Sequence, residues 1–301
     1  MKILNEWFIE APWGKIALIS WGSPGGEPVL LIHGRQDSAS TFIPLLELMP
    51  EQYYYVGIDM PGNGRSDPFP VGIKITRLHF IAAMEMVLKH LGWESFIFIG
   101  HSMGCEQGLF YNAVHPWRIR KQILLDAIPS LQRLQVFDVS EYFKTFYDNY
   151  YSNYMKENFG TKLYTREKAI EAVMRARELT REQGELILER NLIDMGDRMF
   201  RLSWDNRLKS PAPQNYTNEY YYALFSKNTP PTLLLSASDG AKGYDKGKEG
   251  AQKLIADLKS NVANFQLVEV LGGHDVHFTN PDRCAPHILK FLEKDFGRSK
   301  L

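Results

Sequence analysis

The chain has little cysteine, no excess of either charge and no long apolar run. Its 301 residues include two cysteines, Cys105 and Cys284, too few for a disulfide framework and without metal-site spacing. Its 35 lysine and arginine residues balance 35 aspartate and glutamate residues. Nucleic-acid binding usually needs a basic surplus, so we expect no nucleic-acid partner. No apolar stretch approaches the roughly 18 residues that span a bilayer, so we expect no membrane span.

What remains is the composition of a soluble globular protein. Hydrophobic residues make up 44% of the chain and charged residues 23%. Residues 1–6 contain no uninterrupted apolar core, so we expect no secretory signal and an intracellular protein. A chain of this length suits one large α/β unit that carries an insertion.

Short apolar runs alternate along the chain with helical patterns. The runs that predict strands are 15–21, 29–32, 54–58, 96–99, 121–125, 232–235 and 265–270. Residues 76–91 show apolar residues at helical spacing. Such alternation predicts an α/β fold with a mostly parallel sheet that is covered by helices on both faces.

The middle third of the chain does not show this alternation of apolar runs and helical patterns. Residues 129–230 contain no convincing buried strand, and two stretches, 140–159 and 166–192, favour helix. We therefore predict a core of residues 1–128 and 231–301 with a helical cap of residues 129–230 inserted over the sheet. Aromatic residues recur at helical spacing, and while most should pack the cap onto the core, some could line an apolar, acyl-accepting pocket. They are Tyr142, Phe143, Phe146, Tyr147, Tyr150, Tyr151 and Tyr154.

Gly100-His101-Ser102-Met103-Gly104 lies between a predicted strand and a predicted helix. G-x-S-x-G in that context is the nucleophile elbow, a tight turn that exposes a serine hydroxyl at the sheet edge. The alternative is a glycine-serine turn in which Ser102 only caps the following helix. The elbow predicts Ser102 as a nucleophile.

A serine nucleophile needs a base, and the sequence offers two histidines after the last predicted strand. His274 follows Gly272 and Gly273, whose flexibility lets the loop carry an imidazole back over the elbow. His277 competes for the role, but a histidine that only ties down the loop is the simpler reading of it. We predict His274 as the base.

An oxyanion site should follow the strand at 29–32, where Gly34 lets the backbone approach the nucleophile. We predict the backbone N–H groups of Arg35 and Met103 as its two donors. We expect Gly34, Arg35 and His101 to contact the substrate. The Arg35 side chain either holds a substrate carboxylate or phosphate or forms an ion pair with one of the neighbouring aspartates, Asp37 or Asp59.

The acid of the triad has two candidates. Asp239 follows the strand at 232–235, one residue earlier than the usual G-x-x-D placement, and is the first choice. Asp126 ends the strand at 121–125 and can also reach the base. Asp275 is too close in sequence to His274 to orient its ring. Either candidate would fix the tautomer of the base and stabilise its imidazolium.

These residues resemble the α/β-hydrolase superfamily and, more narrowly, the serine hydrolase-like (kraken-like) proteins of animals. The matching stretches are 11–14, His33-Gly34 with Asp37, Ala39-Ser40 and Phe42, 53–56 with Asp59, 100–102, 124–126, and Gly273-His274 with Val276-His277. The resemblance implies an eight-stranded sheet with an inserted cap, Ser102 as nucleophile and His274 as base. It also implies an acid at Asp126 rather than at Asp239, which keeps both open.

The last three residues are Ser299, Lys300 and Leu301. A terminal S-K-L is a peroxisomal import address, and the resembling proteins are associated with peroxisomes. We therefore expect the peroxisomal import receptor as a partner and the peroxisome as the location, with the cytoplasm as the default. The alternative is a solvated tail without an address.

Together these features predict a serine hydrolase that cleaves an ester or thioester with an apolar acyl part. It should need neither metal nor organic cofactor. Epoxide hydrolases and dehalogenases share the scaffold but carry an aspartate where this chain has Ser102. The alternative function is that of a hydrolase-fold ligand-binding or signalling protein with little or no turnover.

Overall fold

The computed structural model describes residues 1–134, 162–209, 216–240 and 246–297, with residues 138, 140–141, 143–144 and 147–148. Eight strands form the main sheet, in the order β1-β2-β4-β3-β5-β6-β9-β10. They are β1 (Ile3–Ala11), β2 (Gly14–Gly22), β3 (Glu27–Ile32), β4 (Tyr53–Ile58), β5 (Phe96–His101), β6 (Ile119–Leu125), β9 (Thr232–Ala237) and β10 (Phe265–Val270). β2 pairs antiparallel with β1 and β4, and every other pairing is parallel. The predicted eight-stranded, mostly parallel sheet is confirmed.

Helices connect these strands. The α-helices in the described residues are α1 (Ile43–Leu46), α2 (Arg77–Leu91), α3 (Met103–Val114), α4 (Ile128–Gln132), α5 (Arg166–Arg177), α6 (Arg181–Asn191), α7 (Asn218–Ser226), α8 (Lys248–Asn261), α9 (Val276–Thr279) and α10 (Ala285–Glu293). Short 3₁₀ helices cover Ala39–Phe42, Asn206–Lys209 and Pro281–Arg283. No helix in this described part combines the length and apolar content that crossing a membrane requires.

The sheet has an apolar core on each face, and successive residues of a central strand contribute to opposite cores. Phe96 and Phe98 of β5 pack with α2, α3 and α8, whereas Ile97 and Ile99 pack with α10. A strand buried on both faces must be apolar throughout, which is why β5 reads as a continuous apolar run. This packing fixes the carboxyl end of β5, where the elbow begins.

The segment between β6 and β9 differs from the prediction in two ways. The helix predicted over residues 166–192 is two helices, because Glu178 adopts a left-handed conformation with φ 55° and Thr180 caps α6. A hairpin of two short strands, β7 (Leu192–Asp194) and β8 (Phe200–Leu202), follows α6. Strands of three residues carry too little pattern to be read from sequence.

The helices of this segment pack in different places. Buried Ile170, Val173, Ile187 and Leu188 of α5 and α6 form a small core with Phe278 of α9. α7 instead packs into the core on the face of the sheet that α2, α3 and α8 cover. The helix predicted over 140–159 lies largely outside the described residues, as do Tyr142, Phe146, Tyr150, Tyr151 and Tyr154; Phe143 and Tyr147 are described and exposed. The cap boundaries at 129 and 230 stay a prediction.

Candidate active site

Ser102 occupies the turn between β5 and α3. Its φ of 52° and ψ of −116° define a backbone conformation that residues other than glycine rarely adopt. A Cβ at Gly100 would lie 2.8 Å from the backbone of Gly104, and a Cβ at Gly104 would lie 2.2 Å from the carbonyl oxygen of Ile32. The G-x-S-x-G spacing is therefore required by space on both sides of the serine.

His274 lies in the loop after β10, within hydrogen-bond distance of the serine. Its Nε2 is 2.8 Å from the Ser102 Oγ, and its Nδ1 is 2.6 Å from the Asp126 Oδ2. A carboxylate can only accept, so Nδ1–H donates to Asp126 and Nε2 is left to accept from the serine hydroxyl. The three side chains form one continuous chain of hydrogen bonds.

Asp126 follows β6 directly and is 1% exposed. Its φ of 48° is left-handed, a conformation that aspartate tolerates better than most residues. Its Oδ1 accepts a hydrogen bond of 3.0 Å from the backbone N–H of Ala237. A Cβ at Gly240 would lie 2.0 Å from its Oδ2, so the carboxylate is also confined by the turn after β9.

Asp239, the first choice for the acid, is placed elsewhere. Its side chain is exposed, and its carboxylate lies 3.4 Å from the Ser238 hydroxyl. Its backbone N–H donates to the carbonyl of Gly272, so the turn that contains it supports the 271–275 loop from outside. The structure places Asp126 in the position of the acid, because β6 ends beside β5 whereas the turn after β9 leads Asp239 to the surface.

The charge of Asp126 makes His274 more basic. Burial lowers the pKa of His274, but the hydrogen bond and charge of Asp126 outweigh burial and raise that pKa above its ordinary 6.5. Asp275 also raises it, and Arg177 opposes the rise. This arrangement stabilises the protonated form of the His274 imidazole.

The predicted oxyanion donors belong to two backbone segments that flank Ser102. A Cβ at Gly34 would lie 3.2 Å from the Ser102 Cβ, so the 33–38 segment passes directly beside the serine. Met103 is the first residue of α3, and the first N–H groups of a helix have no acceptor within the helix. The roles of the Arg35 and Met103 N–H groups stay a prediction.

His33 fixes the start of the 33–38 segment. Its Nδ1 donates to the Gly34 carbonyl at 2.6 Å, and its Nε2 accepts from the Met60 N–H at 2.9 Å. Burial lowers the pKa of His33, which keeps the ring neutral and able to accept.

His101, which we predict to contact the substrate, lies beneath the ring of His274. The side chain is 2% exposed because its ring packs between the rings of His274 and His277, at centroid distances of 4.7 and 4.1 Å. Its Nε2 donates to the backbone carbonyl of His274 at 3.1 Å. Burial and the neighbouring charge of His274 lower the pKa of His101 to about 3. His101 therefore supports His274 from below, and its contact with a substrate stays a prediction.

His277, the alternative base, is fully buried and lies 3.0 Å from the Thr41 hydroxyl through its Nε2. Burial holds the pKa of His277 well below its ordinary value. This histidine ties α9 to the 3₁₀ helix that contains Thr41, as the structural reading of it predicted.

Three side chains in the described residues bring possible metal ligands within 4.8 Å of one another: Asp37, His101 and Asp275. The guanidinium of Arg177 lies among them. It donates to the two oxygens of Asp275 at 2.8 Å each and to Asp37 at 3.0 Å. This arginine provides the positive charge that a cation would otherwise bring.

The carboxylates considered as partners for Arg35 bind other arginines. Asp37 binds Arg177, and buried Asp59 binds Arg190 at 2.9 Å. Sequence reasoning missed both arginines and also the close approach of Gly240 to the acid. The sequence alone does not distinguish Arg177 from Arg175 on the same helix, because only the folded structure shows that Arg177 contacts Asp37 and Asp275.

A sheet of this order with a serine elbow, a histidine after the last strand and an acid after β6 defines a hydrolase fold. A model of the family described as the alpha/beta hydrolase fold matches residues 27–281. The chain therefore belongs to the α/β-hydrolase family.

Among curated proteins, the chain is similar to the serine hydrolase-like proteins. It is 28% identical to Serine hydrolase-like protein 2 of Homo sapiens, over 97% of this chain and 95% of that protein. It is 30% identical to a Serine hydrolase-like protein of Danio rerio, over 97% of this chain and 89% of that protein. The resemblance inferred from the motifs is confirmed.

Solved structures show the same fold. A hypothetical protein of Pseudomonas aeruginosa superposes with a TM-score of 0.79 at 24% identity, covering 96% of this chain and 97% of that one. The thioesterase domain from the curacin biosynthetic pathway superposes with a TM-score of 0.76 at 23% identity, covering 95% of this chain and 99% of that one.

Proposed function

We propose that this protein is a serine hydrolase that cleaves a carboxylic ester or thioester through an acyl-enzyme on Ser102. The observation that carries the proposal is the unbroken hydrogen-bond chain from Asp126 through His274 to Ser102. Hydrolysis of acyl compounds is the chemistry that this constellation performs on several unrelated folds. The similar fold of a thioesterase domain supports the same substrate class.

The proposed reaction has two halves. Nε2 of His274 takes the hydroxyl proton of Ser102 as Oγ attacks the acyl carbon. The N–H groups of Arg35 and Met103 then stabilise the oxyanion of the tetrahedral intermediate. Such donors are each worth about 3 kcal/mol of the barrier. The imidazolium returns its proton to the leaving alcohol or thiol, which departs and leaves the serine acylated.

Water then attacks the acyl-enzyme in the same way. His274 takes one proton from the water, a second tetrahedral intermediate forms, and the proton passes back to Ser102 as the acid product leaves. Asp126 stays ionised throughout and stabilises the imidazolium formed in each half. We propose an apolar acyl part because aromatic residues of the predicted cap recur at helical spacing in the sequence.

A fluorophosphonate probe tests the nucleophile. We expect labelling of the wild-type protein and none of Ser102→Ala, while Ser260→Ala, which changes an exposed serine of α8, should label like wild type. Peptide mapping should place the label on Ser102. Equal labelling of wild type and Ser102→Ala, or none of either, would contradict the proposal.

Substrate class is tested with p-nitrophenyl esters and acyl-CoA thioesters of increasing chain length. We expect kcat/KM to rise with apolar acyl length until the pocket is filled, since each buried methylene contributes about 0.8 kcal/mol. Thermal shifts on ligand addition without any hydrolysis would instead support a ligand-binding protein.

We also propose that Ser299, Lys300 and Leu301 direct the protein to peroxisomes through the import receptor. These residues lie outside the described part of the chain. A fluorescent protein fused ahead of residues 1–301 should colocalise with a peroxisomal marker. Removal of these three residues should leave the fusion in the cytosol, and unchanged peroxisomal location would contradict this proposal.

A further inference from the structure

The helices α5 and α6 contact the site through polar side chains as well as through their apolar core. Arg177 is the last residue of α5, and its side chain is 16% exposed. Its guanidinium donates to Asp275, the neighbour of His274, and to Asp37, three residues after Gly34. The 271–275 loop and the 33–38 segment are therefore joined by one side chain that comes from a third part of the chain.

We propose that Arg177 is a positioning residue which, by holding Asp37 and Asp275 together, fixes the 33–38 segment relative to the 271–275 loop. The base and one oxyanion donor lie on these two pieces of backbone, which do not contact each other through a shared strand pairing. This inference rests on the proposed hydrolase function, since it concerns the same site. Under this proposal, the 33–38 segment and the 271–275 loop are aligned only when α5 is packed against them.

The geometry of the bridge favours a positioning role over a general contribution to stability. Nε and Nη2 of Arg177 bind the two oxygens of Asp275 side by side at 2.8 Å, and Nη2 also binds Asp37 at 3.0 Å. Two parallel hydrogen bonds fix direction as well as distance, which a lysine cannot do. The guanidinium carbon also lies 5.9 Å from the centre of the Phe278 ring.

A second contact joins the same helices to the 33–38 segment independently. The side-chain amide of Asn191, at the end of α6, donates to the Ser38 hydroxyl at 3.0 Å and to the Ile187 carbonyl at 2.7 Å. Asp37 in turn accepts from the backbone N–H of Ser38 at 2.9 Å. The segment is thus held at Asp37 and Ser38, close to the residues that face the nucleophile.

The charges around His274 give the proposal a measurable sign. Asp126 reaches the ring from the end of β6, Asp275 from its own loop and Arg177 from α5, while the uncharged ring of His101 packs against it from β5. Burial raises the pKa of the Asp275 carboxyl, but the charge and hydrogen bonds of Arg177 outweigh burial and hold that pKa well below its usual range. Arg177 lowers the pKa of His274, whereas Asp275 raises it.

Substitutions of Arg177 and Asp275 should therefore move the pH dependence in opposite directions. Arg177→Gln leaves Asp275 uncompensated, raises the pKa of His274 and moves the acid limb of kcat/KM to higher pH. Asp275→Asn removes the negative charge, lowers that pKa and moves the limb to lower pH. Arg177→Lys keeps the charge but loses the paired hydrogen bonds, so the limb should stay near its wild-type position while kcat falls.

The expected loss for Arg177→Gln is roughly 10- to 100-fold, in kcat more than in KM, because the groups it aligns act in the transition state. The matched control is Arg181→Gln, which removes an arginine of α6 whose exposed side chain binds Glu167 and Glu185. That variant should keep the wild-type rate and pH profile. Circular dichroism and a thermal melt establish that each variant folds.

The pKa of His274 should also be measured directly, by nitrogen-15 NMR of histidine-labelled protein, with His274→Asn for assignment. Opposite shifts in Arg177→Gln and Asp275→Asn support the proposal. An unmoved His274 titration in folded Arg177→Gln and Asp275→Asn, or a loss of rate in these two variants that is uniform in pH, overturns it and leaves Arg177 structural. Failure of the wild type to react with the fluorophosphonate would refute the proposed function, and the NMR titration then decides on Arg177 alone.

Discussion

Replacement of Asp126 with asparagine tests the hydrogen-bond chain at its buried end. The backbone should accept the change, because asparagine is the other common residue at a left-handed φ such as the 48° found here. The amide oxygen can still accept from the Ala237 N–H, which Asp126 now does at 3.0 Å. We therefore expect a folded protein with a thermal midpoint close to that of wild type.

The effect on the reaction should be large. With the oxygen bound to Ala237, the amide NH₂ faces Nδ1 of His274, so Nδ1 must accept and Nε2 must carry the proton. Nε2 then cannot take the proton of Ser102. Loss of the correct tautomer costs roughly 10³- to 10⁴-fold in kcat in an equivalent triad, or about 4 to 5.5 kcal/mol of barrier.

The pH dependence should change as well. Burial lowers the pKa of His274 and Asp126 raises it, so Asp126→Asn should lower that pKa. The small residual activity should then persist to lower pH than in wild type. Stopped-flow or plate assays of p-nitrophenyl ester hydrolysis from pH 4 to pH 9 measure both effects, a range of about two to three units around the ordinary histidine pKa.

The matched control is Asp239→Asn, the same chemical change at the exposed aspartate after β9. We expect kcat/KM to stay within about twofold of wild type, since surface substitutions away from special contacts have small effects. A loss at Asp239 as large as that at Asp126 would refute the assignment of the acid. So would a folded Asp126→Asn that retains more than about a tenth of the wild-type rate.

Three further predictions follow from distances and charges in the site. Gly240→Ala should lower kcat in the ester assay by displacing Asp126, because its Cβ would lie 2.0 Å from the carboxylate. Gly25→Ala is the control and should be neutral in the same assay, because a Cβ at Gly25 would meet no atom within 4 Å. Gly104→Ala should lower the thermal midpoint by several degrees in calorimetry, because its Cβ would lie 2.2 Å from a main-chain carbonyl of β3. In wild type, kcat/KM should rise with pH through a midpoint above 6.5, because the base is active when deprotonated and the pKa of His274 is raised; a midpoint below 6.5 would contradict that direction.

Central parallel strands such as β5 and β9 could be read from sequence because they are buried on both faces and so contain an unbroken apolar run. β1 could not be read in this way, since most of Ile3–Ala11 is exposed at the edge of the sheet. The break between α5 and α6 did have a signal. Thr180 and Gln183 form a capping box, and threonine followed three residues later by glutamine marks a helix start.

How far each site residue could be predicted also depends on whether the local sequence marks its position. The close placement of Ser102 and His274 could be predicted, because glycines at the elbow and before His274 mark tight backbone in the sequence itself. The acid could not, because β6 and β9 are neighbours in the sheet and either strand end is a reasonable origin. Only the folded backbone shows that Asp126 points at Nδ1 of the base while the turn after β9 carries its rival to the surface.

The backbone at Ser102 has a consequence for the whole molecule. A non-glycine residue held at φ 52° and ψ −116° costs on the order of 1 to 3 kcal/mol, which the packed strands and helices around it must offset. Ser102→Gly would relieve that strain, so this variant should melt at a higher temperature than the wild-type protein. The strained residue is the proposed nucleophile, so the fold gives up stability at the position to which we assign the chemistry.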